Sequence, residues 1–232
     1  MRYAVLGTGV VGRTIAAKLV ALGHEVALGT RAPQATLDRT EPDALGTPPI
    51  SQWLPQYPQV RLETFADATA FAERVVNTTA GAGSLPALRA AGRANLDGKV
   101  LIDVANPLDY SQGMPPSLDP VNTDSLGEQI QRAFPELRVV KTLNTMNCRI
   151  MVDPGLVPGT HSVFVSGDDA DAKKVVTELL VSFGWPAADV LDLGDISTAR
   201  GTEMLLPIWL RLWGSLGHSD FNFHIQGARA AG

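Results

Sequence analysis

Apolar runs and helical stretches alternate along the first half of the chain. The apolar runs predict strands over Arg2–Leu6, Glu25–Leu28, Arg74–Asn77 and Lys99–Val104, and Val10–Leu22 is predicted to be a helix. Strands that are apolar along their whole length and are joined by helices are typical of a parallel sheet buried on both faces. We therefore expect an α/β fold built on a Rossmann-type, doubly wound and mostly parallel sheet.

The second half continues this alternation and is predicted to extend the same sheet. Its predicted elements are a helix at Ser125–Phe134, strands at Arg138–Leu143, Ser162–Ser166 and Val190–Leu193, an amphipathic helix at Asp169–Phe183, and one long final helix at Ile196–Leu216. We expect residues 1–108 to form a dinucleotide-binding half and residues 109–232 to form a C-terminal α/β extension that closes the active-site edge. The alternative is one compact domain, because no clear linker separates the two parts.

The first strand and the first helix are joined by a glycine-rich loop with the sequence Gly7-Thr8-Gly9-Val10-Val11-Gly12. This spacing suits a dinucleotide because Gly7 allows a tight turn, Gly9 lets the backbone approach a pyrophosphate, and Gly12 lets helix and strand pack closely. The pyrophosphate would then meet unpaired amides and the positive end of the helix dipole. Six matching residues are weak evidence alone, but the strand before them and the helix after them predict a dinucleotide site.

The residues after the second strand distinguish NADP from NAD. NAD enzymes carry an acidic side chain about 20 residues beyond the glycine loop, where it binds the ribose hydroxyls. This chain has Thr30 and Arg31 there and no acid. Arg31 can pair with a ribose phosphate and Thr30 can donate a hydroxyl to it, so NADP(H) is the predicted cofactor. The alternative is that Arg31 is an ordinary solvated loop residue.

Two proline-rich segments interrupt the pattern. Six prolines fall between Pro33 and Pro58, and a second segment of this kind spans Asn106–Asn122. Because proline fixes its backbone angle and lacks an amide donor, both segments are expected to be irregular loops. The first is a candidate flap beside the cofactor.

Composition argues against several other classes of protein. The chain of 232 residues has a formal net charge of −5, which argues against nucleic acid as the main partner. Cys148 is the single cysteine, so no intramolecular disulfide or multi-cysteine metal site is expected, and we predict no metal. Because no stretch suits a signal peptide or a membrane span, we expect a cytoplasmic protein without a membrane partner.

The chain resembles the NADP-dependent oxidoreductases of the coenzyme F420 (deazaflavin) group, whose relatives include the reductase domains of six-transmembrane metalloreductases. The resemblance runs nearly end to end and is nearest to a bacterial subgroup. It rests on the glycine loop, Leu22–Val26, Thr30-Arg31, Val139–Thr145, and Arg200 and Glu203 with Pro207 just after. The archaeal enzymes of the group differ in three ways: they have a proline in the loop that corresponds to Thr78–Gly81, a histidine at the position of Asn144, and a shorter segment at the position of Pro33–Pro58.

The resemblance implies hydride transfer between NADP(H) and a flavin-like acceptor, with coenzyme F420 as the first choice and a flavin as the second. It also implies that three loops flank the nicotinamide, namely Thr78-Thr79-Ala80-Gly81, Asn106-Pro107-Leu108 and Asn144-Thr145-Met146-Asn147. The first loop and Asn106-Pro107 join the glycine loop and Thr30-Arg31 as expected cofactor contacts. No residue is assigned as catalytic, and the candidates for the nicotinamide and acceptor pocket are Thr79, Ala80 and residues 144–147.

Several of these residues also have a plain structural interpretation. Asn144 and Asn147 follow a strand at the edge where open sheets bind ligands, yet they could equally cap the helix that begins near Cys148. Thr78 and Thr79 either contact nicotinamide, which we favour, or only finish their strand.

Residues of the final helix are expected to be structural. Arg200 and Glu203 are three residues apart, so they share a helix face and are predicted to pair with each other. Trp209 and Trp213 are predicted to lie in the core or in a dimer contact, and we expect a homodimer.

No Ser-His-Asp signature, catalytic pair of carboxylates or Tyr-x-x-x-Lys motif is present. Their absence suits direct hydride transfer to a small-molecule redox partner, where the cofactor holds the reactivity and the protein aligns it. Two alternatives remain on the same fold: a non-catalytic NADP-binding sensor or partner protein, and an NADPH-dependent reductase of another small acceptor such as a flavin or ferric ion.

Overall fold

The structure, a computed structural model, describes residues 1–43 and 46–227. Its strands, in chain order, are β1 (Arg2–Leu6), β2 (Glu25–Thr30), β3 (Arg61–Thr64), β4 (Arg74–Asn77), β5 (Val100–Asp103), β6 (Leu108–Asp109), β7 (Ser117–Leu118), β8 (Arg138–Thr142), β9 (Val163–Ser166) and β10 (Val190–Asp192). Strands β6 and β7 form a separate antiparallel hairpin. The other eight form one sheet in the order β10-β9-β8-β5-β4-β1-β2-β3.

The sheet is parallel except where β9 pairs antiparallel with β8, which confirms the expected mostly parallel Rossmann-type architecture. Strand β1 lies between β2 and β4, so successive connections leave it in opposite directions. This reversal is the switch point at which open α/β sheets form a crevice along the carboxyl ends of their strands.

The helices, in chain order, are α1 (Val10–Ala21), α2 (Pro33–Leu37), α3 (Ile50–Trp53), α4 (Phe65–Phe71), α5 (Gly81–Ala91), α6 (Arg93–Leu96), α7 (Leu126–Ala133), α8 (Cys148–Val152), α9 (Ala170–Phe183), α10 (Ala199–Met204) and α11 (Leu206–Leu216). Short 3-10 helices lie at Leu54–Gln56, Pro154–Leu156, Ala187–Asp189 and Ile196–Thr198. Among the described residues, no helix has both the length and the apolar character needed to cross a membrane.

Both faces of the sheet are buried because neighbouring residues of each central strand point into different apolar clusters. Val5 and Val76 pack in the cluster under α1 and α9, whereas Ala4 and Val75 pack in the cluster under α5 and α7. This arrangement explains why the central strands are apolar along their length rather than alternating.

Four sequence-based assignments need correction. The predicted single helix Ile196–Leu216 is a 3-10 turn followed by α10 and α11, which are separated at Leu205 because Pro207 belongs in the first turn of a new helix. The proline-rich segment 33–58 contains α2, α3 and a 3-10 helix, and the loop 106–122 contains β6 and β7. Strand β3 was not predicted, since it lies at the sheet edge and only Leu62 of its four residues is apolar.

Candidate functional site

The glycine loop lies at the carboxyl end of β1, and its three glycines are needed for different reasons. Gly7 has a φ of +121°, and a Cβ there would lie 2.9 Å from the carbonyl oxygen of Thr78. A Cβ on Gly12 would lie 2.2 Å from the carbonyl oxygen of Gly7, so the first turn of α1 packs directly on the loop. A Cβ on Gly9 would meet nothing within 4 Å. The loop is therefore closed at Gly7 and Gly12 and open at Gly9, where a pyrophosphate would approach.

The first turn of α1 is suited to an anion. Gly9 is its N-cap and offers no side-chain cap. The amides of Val10 and Val11 belong to a helix end that has no intrahelical acceptors for them. Thr8 holds the loop in place because its carbonyl oxygen accepts a 2.7 Å hydrogen bond from Nε of Arg13. Burial lowers the pKa of Arg13, and the negative charge of Asp43 opposes that effect.

Thr30 and Arg31 differ in how they meet solvent at the end of β2. Arg31 is exposed, and its guanidinium has no hydrogen bond or ion pair within residues 1–43 and 46–227. Thr30 is only 8% exposed, and its hydroxyl lies 2.9 Å from that of Thr36. Because the Thr36 hydroxyl donates to the carbonyl oxygen of Ala32, the Thr30 proton is directed at Thr36. Arg31 is thus free to meet a phosphate, whereas Thr30 can only accept a hydrogen bond in this arrangement.

The first nicotinamide loop is held by a network below it. Asn77 is fully buried and donates from Nδ2 to Oδ1 of Asp103 at 2.8 Å and to Oγ of Ser84 at 3.0 Å. The Thr79 hydroxyl donates to Oδ1 of Asn77 at 2.8 Å. The Thr78 hydroxyl donates to the carbonyl oxygen at the end of β1, beside the glycine loop. The hydroxyl protons of Thr78 and Thr79 are therefore already donated to acceptors within the protein.

The second and third loops are joined by a reciprocal pair of asparagines. Nδ2 of Asn106 donates to the carbonyl oxygen of Asn144 at 2.7 Å, and Nδ2 of Asn144 donates to Oδ1 of Asn106 at 3.0 Å. Oδ1 of Asn144 is buried without a protein partner. The first loop joins them because a Cβ on Gly81 would lie 2.3 Å from the Asn106 carbonyl oxygen and 2.7 Å from Cα of Pro107. The three predicted loops thus meet at one edge, beside Ala80, the N-cap of α5.

The rest of the third loop faces inward. Thr145 and Met146 are 1% and 5% exposed, so their side chains belong to the interior. Asn147 is the N-cap of α8, and its Oδ1 accepts from the amide of Arg149 at 2.9 Å. Of residues 144–147, Asn144 alone has a buried side-chain acceptor still without a partner.

Comparison with known proteins agrees with this geometry. Residues 2–107 match the sequence model of the family described as NADP oxidoreductase, coenzyme F420-dependent. A crystal structure of a candidate F420-dependent NADP reductase from Arthrobacter sp. FB24 is 64% identical, with 98% of this chain and 100% of that chain covered and a TM-score of 0.92. The chain belongs to the coenzyme F420-dependent NADP oxidoreductase family. Membership confirms the expectation of an NADP(H)-dependent oxidoreductase.

More distant relatives share the fold or a part of their length. Metalloreductase STEAP3 of Rattus norvegicus is 26% identical over 212 residues, which cover 90% of this chain and 38% of the metalloreductase. The chain therefore spans well under half of that curated relative. A reductive aminase of Aspergillus terreus, solved with NADPH and ethyl levulinate, is 13% identical with a TM-score of 0.61, and the match covers 93% of this chain and 62% of the aminase. That likeness shows the fold alone.

A buried ion network under the loops was missed from the sequence. Lys141 is 1% exposed, and its Nζ lies 2.8 Å from Oδ2 of Asp103 and 2.8 Å from Oε1 of Glu203. Burial alone would lower the pKa of Lys141, but the two carboxylates outweigh it and raise the pKa. Glu203 also accepts from the amides of Leu126 and Gly127 at the start of α7. The sequence signal that could have revealed this network is the presence of charged residues, Asp103 and Lys141, near the carboxyl ends of the apolar strands β5 and β8.

The predicted pair of Arg200 with Glu203 is wrong. Arg200 binds Glu128 instead, with Nε 2.8 Å from Oε2, while Glu203 turns inward to Lys141. The two residues share a helix, but their stronger partners lie on α7 and β8, and a buried carboxylate requires a buried cation. Hydrogen bonds from Arg200 lower the pKa of Glu128 below its usual range.

Proposed function

We propose that the chain transfers a hydride between NADP(H), bound along the glycine loop, and coenzyme F420. The observation that carries the cofactor site is the open space over Gly9 at the first turn of α1. The exposed, unpartnered guanidinium of Arg31, within the part of the chain that the structure describes, supports NADP rather than NAD. The acceptor is the one in the names of the family and of the Arthrobacter relative.

The proposed roles follow the geometry of the loops. The glycine loop and α1 hold the pyrophosphate, and Arg31 binds the ribose phosphate. The loops at Thr78–Gly81 and Asn106-Pro107, together with the loop at 144–147, border the nicotinamide. When bound, NADPH supplies the hydride. The Asn144 amide is the strongest candidate contact in the third loop because its buried Oδ1 lacks a protein partner. A ligand amide is a suitable donor for it.

Mixing the protein with NADPH and one acceptor at a time tests this function. We expect NADPH absorbance to fall with coenzyme F420, and not in the enzyme-free mixture. Oxidation of NADPH in the presence of FMN or ferric salts, but not in the presence of F420, would mean that the chain is an oxidoreductase with a different acceptor. NADPH binding without oxidation by any of the three would favour a non-catalytic sensor on the same fold.

We propose that residues 1–108 form the cofactor half and that residues 109–232 close its edge.

We propose also that the chain acts in the cytoplasm as a homodimer. The exposed apolar side chains of Ile208, Trp213 and Leu216 on α11 support a contact between two copies. Light scattering of the wild type and of Trp213→Glu tests the dimer. A monomer in both cases would contradict it.

A further inference from the structure

A polar row of three buried side chains crosses the sheet just before the three nicotinamide loops. Asn77 of β4 pairs in register with Asp103 of β5, and Asp103 pairs in register with Lys141 of β8. The row lies on the face covered by α5 and α7, where Val75 and Val139, two residues earlier on their strands, also pack. Each strand runs into its loop within one to three residues of its member of the row.

The polar row fixes the first loop through the amide group of Asn77. Nδ2 of Asn77 donates to Oδ1 of Asp103 at 2.8 Å. Because a carboxylate only accepts hydrogen bonds, the amide nitrogen has to lie on this side. Oδ1 of Asn77 then faces the first loop, where it accepts from the hydroxyl of Thr79 at 2.8 Å and from its amide at 3.3 Å. The position of Thr79 is thus set by an amide group that Asp103 orients.

The polar row fixes the second loop through the backbone of Ala105, the residue before Asn106. Nζ of Lys141 donates to the carbonyl oxygen of Ala105, and Oδ1 of Asp103 accepts from the Ala105 amide at 3.3 Å. Ala105 is 4% exposed, so water cannot replace these partners. The two other protons of Lys141 go to Oδ2 of Asp103 and to Oε1 of Glu203, both at 2.8 Å. All three protons of the ammonium group therefore have acceptors.

Glu203 anchors the ammonium group from the other half of the chain. Its carboxylate accepts from the amides of Leu126 and Gly127 at 2.9 and 3.1 Å, in addition to Lys141. The carboxylate is therefore fixed to the start of α7 and does not depend on the loops. The ammonium group of Lys141 has the same place whether or not a ligand lies between the loops.

We propose that Lys141 is a positioning residue, which holds the first two loops where they border the nicotinamide and thereby sets the rate of hydride transfer. The inference rests on the proposed function for the reaction and for the place of the ring. The partners of Lys141 belong neither to the glycine loop nor to Arg31, so the affinity for the phosphate-bearing half of the cofactor should not depend on it. A displacement of about 1 Å near the reacting atoms can cost about a hundredfold in rate.

Lys141→Met combined with Asp103→Asn and Glu203→Gln separates positioning from stability. This triple variant removes the three buried charges together, and neutral oxygen acceptors remain for Asn77 and for the two α7 amides. The Ala105 carbonyl loses the donor that Lys141 supplied, so the second loop is no longer held there. A merely structural network would leave the cofactor unaffected once stability is recovered.

Emission from bound NADPH reports on the nicotinamide without any acceptor, because the reduced ring emits more strongly when it is held away from the adenine. In the triple variant, the emission of bound NADPH should shift toward that of free NADPH. The affinity for 2′,5′-ADP, which lacks the nicotinamide, should stay within about twofold of the wild type. Leu180→Ala is the control, because it deletes a fully buried side chain of α9 on the other face of the sheet. It should lower stability and leave emission and affinity unchanged.

Single-turnover oxidation of bound NADPH by F420 gives the rate directly. It should be about tenfold to a hundredfold slower in the triple variant and unchanged in Leu180→Ala. Thr79→Val tests the branch through the first loop, because it removes the hydroxyl that donates to Asn77 and keeps a side chain of nearly the same shape. This variant should be about tenfold slower, and its NADPH emission should shift in the same direction.

A triple variant with the stability, emission and rate of the wild type would overturn the proposal, as would equal losses in Leu180→Ala. Should the triple variant not fold, wild-type emission in Thr79→Val would overturn it. A wild type that does not oxidise NADPH with F420 would refute the proposed acceptor, and the emission of the variants would still decide the positioning role.

Discussion

Replacing Lys141 with Met should destabilise the protein strongly although the new side chain is apolar and similar in length. The variant removes the ammonium group that lies between the carboxylates of Asp103 and Glu203. Asp103 is fully buried and Glu203 is 2% exposed, so water cannot replace the lost ammonium group. Two negative charges would then share an interior site without a counter-charge.

The magnitude follows from the burial of all three groups. Breaking a buried ion pair by removing one partner typically costs about 3–5 kcal/mol, since an uncompensated charge remains. Hydrogen bonds from Asn77 to Asp103 and from two α7 amides to Glu203 persist and keep the cost within that range. A domain with about 5–15 kcal/mol of total stability would lose a large fraction of it.

Urea denaturation of Lys141→Met at neutral pH measures this loss directly. Lys173→Met is the matched control, because Nζ of Lys173 also lies 2.8 Å from a carboxylate oxygen, that of Asp192. The Asp192 side chain is 54% exposed, so this variant should lower the free energy of unfolding by less than about 1 kcal/mol. The triple variant with Asp103→Asn and Glu203→Gln should recover much of the stability. Equal small losses for the two single variants would refute the reasoning.

Three further outcomes are expected. Gly9→Val should fold normally and lose NADPH binding in calorimetry, because its side chain enters open space over the pyrophosphate site, whereas Gly12→Ala should lower the free energy of unfolding. Arg31→Ala should remove most of a preference for NADPH over NADH of about tenfold, measured as the ratio of dissociation constants. Glu128→Gln should lose about 1 kcal/mol of stability at neutral pH, because hydrogen bonds from Arg200 lower the pKa of Glu128 in the folded state. The loss should begin to shrink as pH falls below the ordinary glutamate pKa of about 4.3, and it should disappear only below the lowered folded-state pKa, where the carboxylate is protonated in both states. Undiminished NADPH binding by Gly9→Val, equal cofactor preference in Arg31→Ala and wild type, or a pH-independent loss would each contradict the corresponding expectation.

The parts of the fold that the sequence predicted are those with local signals. The strands β1, β4 and β5 are apolar runs bounded by polar residues, and their positions were predicted to within a residue or two. The edge strand β3 has the sequence Arg-Leu-Glu-Thr and no such signal, because it pairs on one side only. Strand β3 forms because it pairs with β2, and a pattern within its own four residues cannot show that pairing.

The same division holds for the site. The conformation of the glycine loop could be predicted because its spacing is a local signal: Gly7 has a positive φ, and a Cβ on Gly12 would meet the carbonyl oxygen of Gly7, five residues away. The contact of Gly7 with Thr78, which lies far along the chain, could not. The Thr30 hydroxyl was expected to donate to a phosphate. The direction of its proton depends instead on Thr36 and on the carbonyl oxygen of Ala32. Thr36 lies in the short helix α2, which was not predicted, and Ala32 precedes that helix. The partners of Lys141 are 38 and 62 residues away in the chain, and the topology alone brings them together.

The backbone at Leu143 links the buried network to the proposed site. Leu143 has a φ of +61°, an angle that is unfavourable for a branched side chain and costs about 1–3 kcal/mol. Such a conformation persists only when its neighbours fix it. Lys141 anchors the strand just before it through two carboxylates, and Asn144 is fixed just after it by two hydrogen bonds with Asn106. The stabilisation of the network and of the asparagine pair therefore maintains a strained turn at the sheet edge, and the turn holds the Asn144 amide at the point where the three loops meet.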